Sequence, residues 1–430
     1  MVSAKDRVIA GIGANASSQV VTVVIQLVSL PVFLHYWSMP TYGEWLLLSA
    51  VPGYFSLADA GLGAVAMNRM TMLVAGGHKQ QANEVFQTAL MMIAMLSAAA
   101  LVLSAAGVWL FMNGASGASS PRVTLLLLIT LALLNIFSGL FDAVFRASGF
   151  FAAGVHLLNI GRLLEWLGGM AGLILLGTMT AAAGGFLLGR LAFTAFMLNY
   201  SAHRCPDFVW GADVASRHEL RQMILPALSF LAFPLGNALS FQGMTILVGS
   251  VFGPFMLAVF NTYRTVSRLL VQLLTIFTRS LWPEISRMFG NHERALLRQM
   301  YARGTRLAIV ASAAACVAVF LLGHWLIARW TGGKVPYHEG LFAGFLAVSL
   351  ASCSWQVGMV VLQATNNHRR LAVAFVLAAI VALGLAAVLP AVGGLTSAVV
   401  ALGFNEVVMI VACRWLVQAL LHAERWPGNH

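Results

Sequence analysis

One helical stripe in the second half of this 430-residue sequence carries groups that could hold an anion. Asn261, Arg264, Arg268, Gln272, Thr275 and Arg279 follow one another at spacings of 3, 4, 4, 3 and 4. At about 100° per residue they share a helical face roughly 80° wide. Guanidinium groups grip phosphate through paired N–H donors. Two like charges one turn apart are unfavourable in lipid, so Arg264 and Arg268 are expected to face a water-filled cavity. Arg279 is expected to snorkel to the headgroups. A second, uncharged stripe carries Asn15, Gln19, Thr22 and Gln26, with Ser18 beside it. Cavity lining and interhelical hydrogen bonding both fit that stripe.

Further ionisable residues lie inside apolar runs. Arg162 and Glu165 stand three apart, where a local ion pair or a place in the cavity both fit, and Arg190 has no acid near it in sequence. Asp59, Asp142 and Glu406 are isolated acids in three other runs. Each is expected to pair structurally with an arginine or to carry a coupling proton. Arg162 and Arg190 from the first half, with Arg264 and Arg268 from the second, predict a basic interior. Such an interior favours an anionic substrate, such as a phosphate or pyrophosphate head group.

The elements that must position these residues follow from composition. Apolar residues make up 60% of the chain and charged ones 9%. An ordinary soluble protein is roughly 25% charged. This composition excludes a soluble enzyme and a disordered chain. Twelve apolar runs are long enough to cross a bilayer, near 8–34, 42–68, 84–112, 122–144, 151–177, 180–200, 222–250, 254–282, 304–328, 339–365, 371–389 and 394–421. The first exceeds the core of a signal peptide and reads as an uncleaved helix. With the N-terminus inside, sixteen basic residues fall in cytoplasmic segments and three (Arg122, Arg329, Lys334) outside. That asymmetry places both termini of a multi-pass membrane protein in the cytoplasm. Tyr36, Trp37, Tyr42 and Trp45 form an interfacial aromatic belt. The net charge of +11 therefore encodes topology, and nucleic acid is not an expected partner.

The fold class expected is an all-α integral membrane protein with about twelve transmembrane helices in two six-helix bundles. The bundles are 1–202 and 222–430, joined by a cytoplasmic linker at 203–221. Pro40 and Pro254, like Gly76 and Gly290, stand 214 residues apart, which fits two parallel repeats. Cys205, Cys316, Cys353 and Cys413 lack metal-ligand spacing and read as free thiols. No P-loop, HExxH or GxSxG occurs, so no enzyme activity and no metal or other cofactor is expected. Gly168/Gly172, Gly185/Gly189 and Gly340/Gly344 read as helix-packing pairs.

A family resemblance follows from particular runs. Ser18-Gln19, Gln26-Leu27 and Leu30-Pro31-Val32-Phe33-Leu34 precede Tyr42-Gly43-Glu44-Trp45-Leu46-Leu47 and Ser56-Leu57-Ala58-Asp59-Ala60-Gly61-Leu62-Gly63. The second half has Gln242 through Gly249, Gly253, Tyr263-Arg264 and Trp282-Pro283-Glu284-Ile285-Ser286. The whole chain resembles the O-antigen and exopolysaccharide flippases of the multidrug/oligosaccharidyl-lipid/polysaccharide exporter superfamily. That resemblance implies a MATE-like V-shaped pair of bundles working by alternating access. It implies transfer of undecaprenyl-pyrophosphate-linked oligosaccharide from the cytoplasmic to the periplasmic leaflet through a cationic central cavity. Arg162, Arg190, Arg264 and Arg268 would line that cavity, and Asp59 would brace the second helix. The substrate-binding set expected is those four arginines with Asn261, Gln272, Asn15, Gln19 and Gln26. Energy would come from a proton or sodium gradient or the membrane potential. Membrane lipids, a polysaccharide polymerase and export machinery are the implied partners. A lipid II flippase and a cation-coupled multidrug exporter are the alternatives. The exporter expects an acidic cavity, and the interior here holds more arginine than acid.

Overall fold

The computed structural model describes residues 4–112, 120–389 and 393–422, without the side chains of 4–12, 15, 56–62, 64, 225–226, 228–230 and 279. The regular elements of the described residues are all helical. Two compact units result. The first comprises Met1–Ser38 and Glu44–Pro234, the second Met39–Gly43 and Leu235–His430.

The first unit holds α1 (Ala4–Tyr36), most of α2 (Met39–Ala50), α3 (Ser56–Ala75), α4 (Lys79–Phe111), α5 (Pro121–Ala147), α6 (Phe151–Leu176), α7 (Met179–Arg204) and α8 (Arg217–Phe230). The short α9 (Ala232–Ala238) crosses the boundary. The second unit continues with a π-helical turn at Leu239–Gly243, α10 (Met244–Ser280), α11 (Trp282–Gly290), α12 (Arg294–Leu321), α13 (Gly323–Thr331), α14 (Glu339–Ala364), α15 (Arg369–Val388) and α16 (Thr396–His422). Nine helical stretches among the described residues are long and apolar enough to cross a membrane. One of these, Ala232–Thr278, is two helices joined at Gly253. The fold is therefore that of a multi-pass, all-helical membrane protein.

Proline sets the breaks that the apolar runs conceal. The run 42–68 is three pieces, because Pro52 opens a 3-10 turn at Pro52–Tyr54 between α2 and α3. The run 222–250 is interrupted at Leu231, where the ring of Pro234 leaves the Phe230 carbonyl without its helical N–H donor. Gly253 adopts φ 81° and ψ 169°, a geometry that only glycine takes readily, and Pro254 starts the next helix.

The polar linker is not a free tether. Gln87 of α4 accepts the Val214 N–H at 2.9 Å and donates to the Val209 carbonyl at 3.1 Å. Asn83 accepts the Val209 N–H at 2.9 Å, and Thr88 accepts the Ser216 N–H at 2.9 Å. Trp210 packs against Phe86 and Phe141 at ring distances of 4.9 and 4.8 Å. At the end of the linker, Arg69 of α3 pairs with Glu219 at 2.6 Å and bonds Gln222 at 2.7 Å. The compact units accordingly divide at Pro234–Leu235, not at the 203–221 linker.

Close backbone approach fixes α6 against α7. A Cβ built on Gly168 or Gly185 would overlap the other's carbonyl oxygen, and one on Gly172 would overlap that of Ala181. Gly344 meets Val399, whereas Gly340 has open space and is not a packing residue.

Candidate functional site

The polar residues read from the sequence gather into one cluster in each unit. In the first, Ser18 donates to Asn159 Oδ1 at 2.7 Å, and Arg162 donates to Ser18 Oγ at 3.2 Å. Asn159 also donates to Ser17 Oγ at 3.3 Å, tying α6 to α1. Arg162 is exposed, and among the described residues no carboxylate lies within 4 Å of it. The local Arg162–Glu165 ion pair does not form. Glu165 instead sits 3.6 Å from Arg190, whose guanidinium also lies 5.5 Å from the Phe193 ring. Arg190 is 2% exposed, so it is a buried, charge-compensated group. The glycine contact between α6 and α7 brings these two distant residues together, which sequence spacing could not show. Gln19 and Gln26 are half-buried on α1. The side chains of Asn15 and Asp59 lie outside the described residues, as does that of Arg279.

The second cluster is built on α10 and the π-turn before it. Arg264 is 5% exposed. Its guanidinium donates to Thr245 Oγ1 at 2.8 Å, to Asn261 Oδ1 at 2.9 Å and to the Phe241 carbonyl at 3.1 Å. It also stacks 3.9 Å from the Phe241 ring centre and 5.0 Å from that of Phe260. The π-turn places both the carbonyl and the ring of Phe241 against Arg264; such turns recur at functional sites. Asn261 donates in turn to the Tyr42 hydroxyl at 3.2 Å. All partners of Arg264 are neutral, and its buried Nε has no hydrogen-bond partner among the described residues.

Arg268, one turn on, lies over the same Phe241 ring at 4.5 Å. Unlike Arg264 it is exposed, and among the described residues no carboxylate lies within 4 Å of it. Gln272 is half-buried on the next turn. Glu406 of α16 lies within electrostatic range of Arg268. Its carboxylate accepts from Trp355 Nε1 at 2.7 Å and from Asn405 at 3.4 Å. Asp142 stands apart from both clusters, paired with Arg146 at 2.7 Å.

The second cluster can therefore hold a fixed positive charge behind an exposed one, with an aromatic face orienting both. Phe241, Thr245 and Trp355 are the residues that sequence reasoning missed. They meet Arg264 and Glu406 only through tertiary packing. Asn159 was legible in principle, since it stands three residues before Arg162 on the same helical face.

No protein-family model matches this sequence, and no curated protein does. Solved structures do. The chain superposes on a multidrug resistance MATE family transporter of the MOP superfamily in its inward-facing conformation, with TM-score 0.71 and 15% identity over 94% of this chain and 100% of that one. A Vibrio cholerae MATE transporter gives TM-score 0.68 at 14% identity over 97% of each chain. A MOP superfamily transporter from Pyrococcus furiosus, for which a reversed polarity of the binding pocket suggests a different function, gives TM-score 0.67 at 14% identity over 96% of each. This chain has the MATE fold.

Proposed function

We propose that this chain is a MOP superfamily transporter that moves an anionic, lipid-linked oligosaccharide across a bacterial inner membrane. The carrier proposed is undecaprenyl-pyrophosphate, and the direction is from the cytoplasmic to the periplasmic leaflet. The observation that carries this reading is the Arg264–Arg268 pair. One guanidinium is buried among neutral partners, and the next is exposed with no carboxylate within 4 Å among the described residues. A diphosphate would put negative charge in direct contact with this pair, and guanidinium–phosphate bonds are about twice as strong as neutral ones. Arg268 would contact the diphosphate. Arg264, immobilised by Phe241, Thr245 and Asn261, would hold the positive potential behind it. Glu406 is the acid best placed to alter the charge beside Arg268, and an ion gradient or the membrane potential would drive the cycle.

The test is expression in cells that lack their own O-unit flippase, following surface glycan and drug sensitivity in parallel. Restored glycan with unchanged drug sensitivity supports the reading, and Arg268→Ala should then lose the glycan at an unchanged membrane level. Normal glycan from that variant would remove Arg268 from the site. A second reading, multidrug export, is favoured by the fold shared with a multidrug resistance transporter. Raised drug resistance without glycan would select it. Rescue of cells depleted of their lipid II flippase would select the lipid II alternative.

A further inference from the structure

We propose that the second unit also binds an anionic membrane phospholipid, with Arg306 of α12 and Arg414 of α16 gripping its phosphodiester. A cavity of about 480 Å³ opens among α12, α14 and α16. That volume lies within the roughly 300–1,000 Å³ of ligand pockets. Two helical stripes wall it. Ala302, Arg306 and Ile309 line the α12 side, and Ile410, Arg414 and Gln418 the α16 side. Spacings of 3 and 4 put each set on one helical face.

The charge is one-sided. Both arginines are exposed, and among the described residues neither has a carboxylate within 4 Å. Among the described residues no acidic side chain lines the cavity. The polarity is also graded. On α12 the arginine precedes Ile309 and Val310 by one turn, and on α16 it follows Ile410 by one turn. The cationic end thus faces the start of α12, which carries Arg294, Arg298 and Arg303. The positive-inside rule assigns that end to the cytoplasm.

Charge at headgroup level with apolar walls deeper reproduces the order of groups in a lipid. Val310 is 61% exposed and Val411 64%, so the apolar side is open to the bilayer. Trp415, 61% exposed beside Arg414, suits the headgroup level, where indole rings collect. A free anion would leave the apolar wall unused. A zwitterionic headgroup brings its own ammonium, which the second guanidinium repels. The site lies on other helices than the Arg264–Arg268 pair and is independent of the transported substrate.

The experiment is native mass spectrometry of the full-length chain in detergent. Dioleoylphosphatidylglycerol, dioleoylphosphatidylcholine and inorganic phosphate are titrated separately and in competition. The phosphatidylglycerol should bind about tenfold to a hundredfold more tightly than the phosphatidylcholine, the range of one charged hydrogen bond. Phosphate should not displace it. Arg306→Gln with Arg414→Gln should erase the preference, and the matching pair of lysine variants should keep part of it. If the double glutamine variant does not purify, Ala302→Trp fills the cavity and should erase the preference instead. Equal retention of the two lipids, a preference that survives these variants, or displacement by phosphate would each overturn the proposal.

Discussion

Replacing Gly185 with alanine tests how α6 and α7 hold Glu165 against Arg190. The added Cβ would overlap the Gly168 carbonyl oxygen, well inside the 3.0 Å that real Cβ atoms keep. The obstacle is backbone, so no side chain can rotate away. The helices must part by about 1 Å or more to restore ordinary carbon contacts of roughly 3.5–4.0 Å. Overpacking of this kind costs about 1–3 kcal/mol. Alanine regains about 0.5–1 kcal/mol of helix propensity, leaving a net loss of up to about 2.5 kcal/mol. At roughly 2–4 °C per kcal/mol for a unit of this size, the midpoint falls by up to about 10 °C. Gly184 is the internal control, since nothing lies within 4 Å of a Cβ there. Gly184→Ala should match or slightly exceed the wild type. The assay is thermal unfolding of both variants in one detergent, read by tryptophan fluorescence. Separation of the helices also lengthens the Glu165–Arg190 contact, already 3.6 Å, so transport should fall in Gly185→Ala alone. Equal midpoints for the two variants would refute the close-approach reasoning.

Other consequences can be measured on the same preparation. All four cysteines are buried and free, so none should react with N-ethylmaleimide in the folded protein, and intact mass should show four adducts after denaturation. Gln87→Ala removes two of the bonds that hold the linker, so trypsin should cut at Arg204 and Arg217 several-fold faster than in the wild type. Burial lowers the pKa of His368, at the start of α15. The unfolded chain takes up a proton near pH 6.5 that the folded chain refuses. Stability should therefore decline as the pH falls below about 6.5, and His368→Gln should flatten that decline in a pH series of melting curves.

The membrane class, the helical runs and the arginine stripe were legible because each is a local pattern. Apolar length and helical spacing need no partner to be read. Arg264 and Arg268 could be placed on one face, but their different fates could not. Arg264 is buried because the π-turn offers Phe241 to it and the first turn of α10 offers Thr245, and no spacing rule predicts a π-turn. Arg190 looked like a free cation because Glu165 reaches it from another helix. The linker looked like a domain boundary because it is polar, yet its backbone is held by side chains of α4. Pro52 and Pro234 mark breaks that hydropathy conceals, whereas Pro31 lies within the continuous α1. The fold itself is shared with structures at 14–15% identity, because packing pattern and helix order persist where residue identity does not.

Translocation by the purified chain tests the central proposal most directly. The protein would be reconstituted into liposomes with a fluorescent, pyrophosphate-linked oligosaccharide lipid, and a membrane-impermeant quencher would report its leaflet. The wild type should expose the lipid several-fold faster than protein-free liposomes. Arg268→Ala should abolish that gain, and a cationic drug should not compete. A wild-type rate equal to that of empty liposomes, or translocation unaffected by Arg268→Ala and blocked by the drug, would contradict an anionic lipid-linked substrate held by this arginine pair.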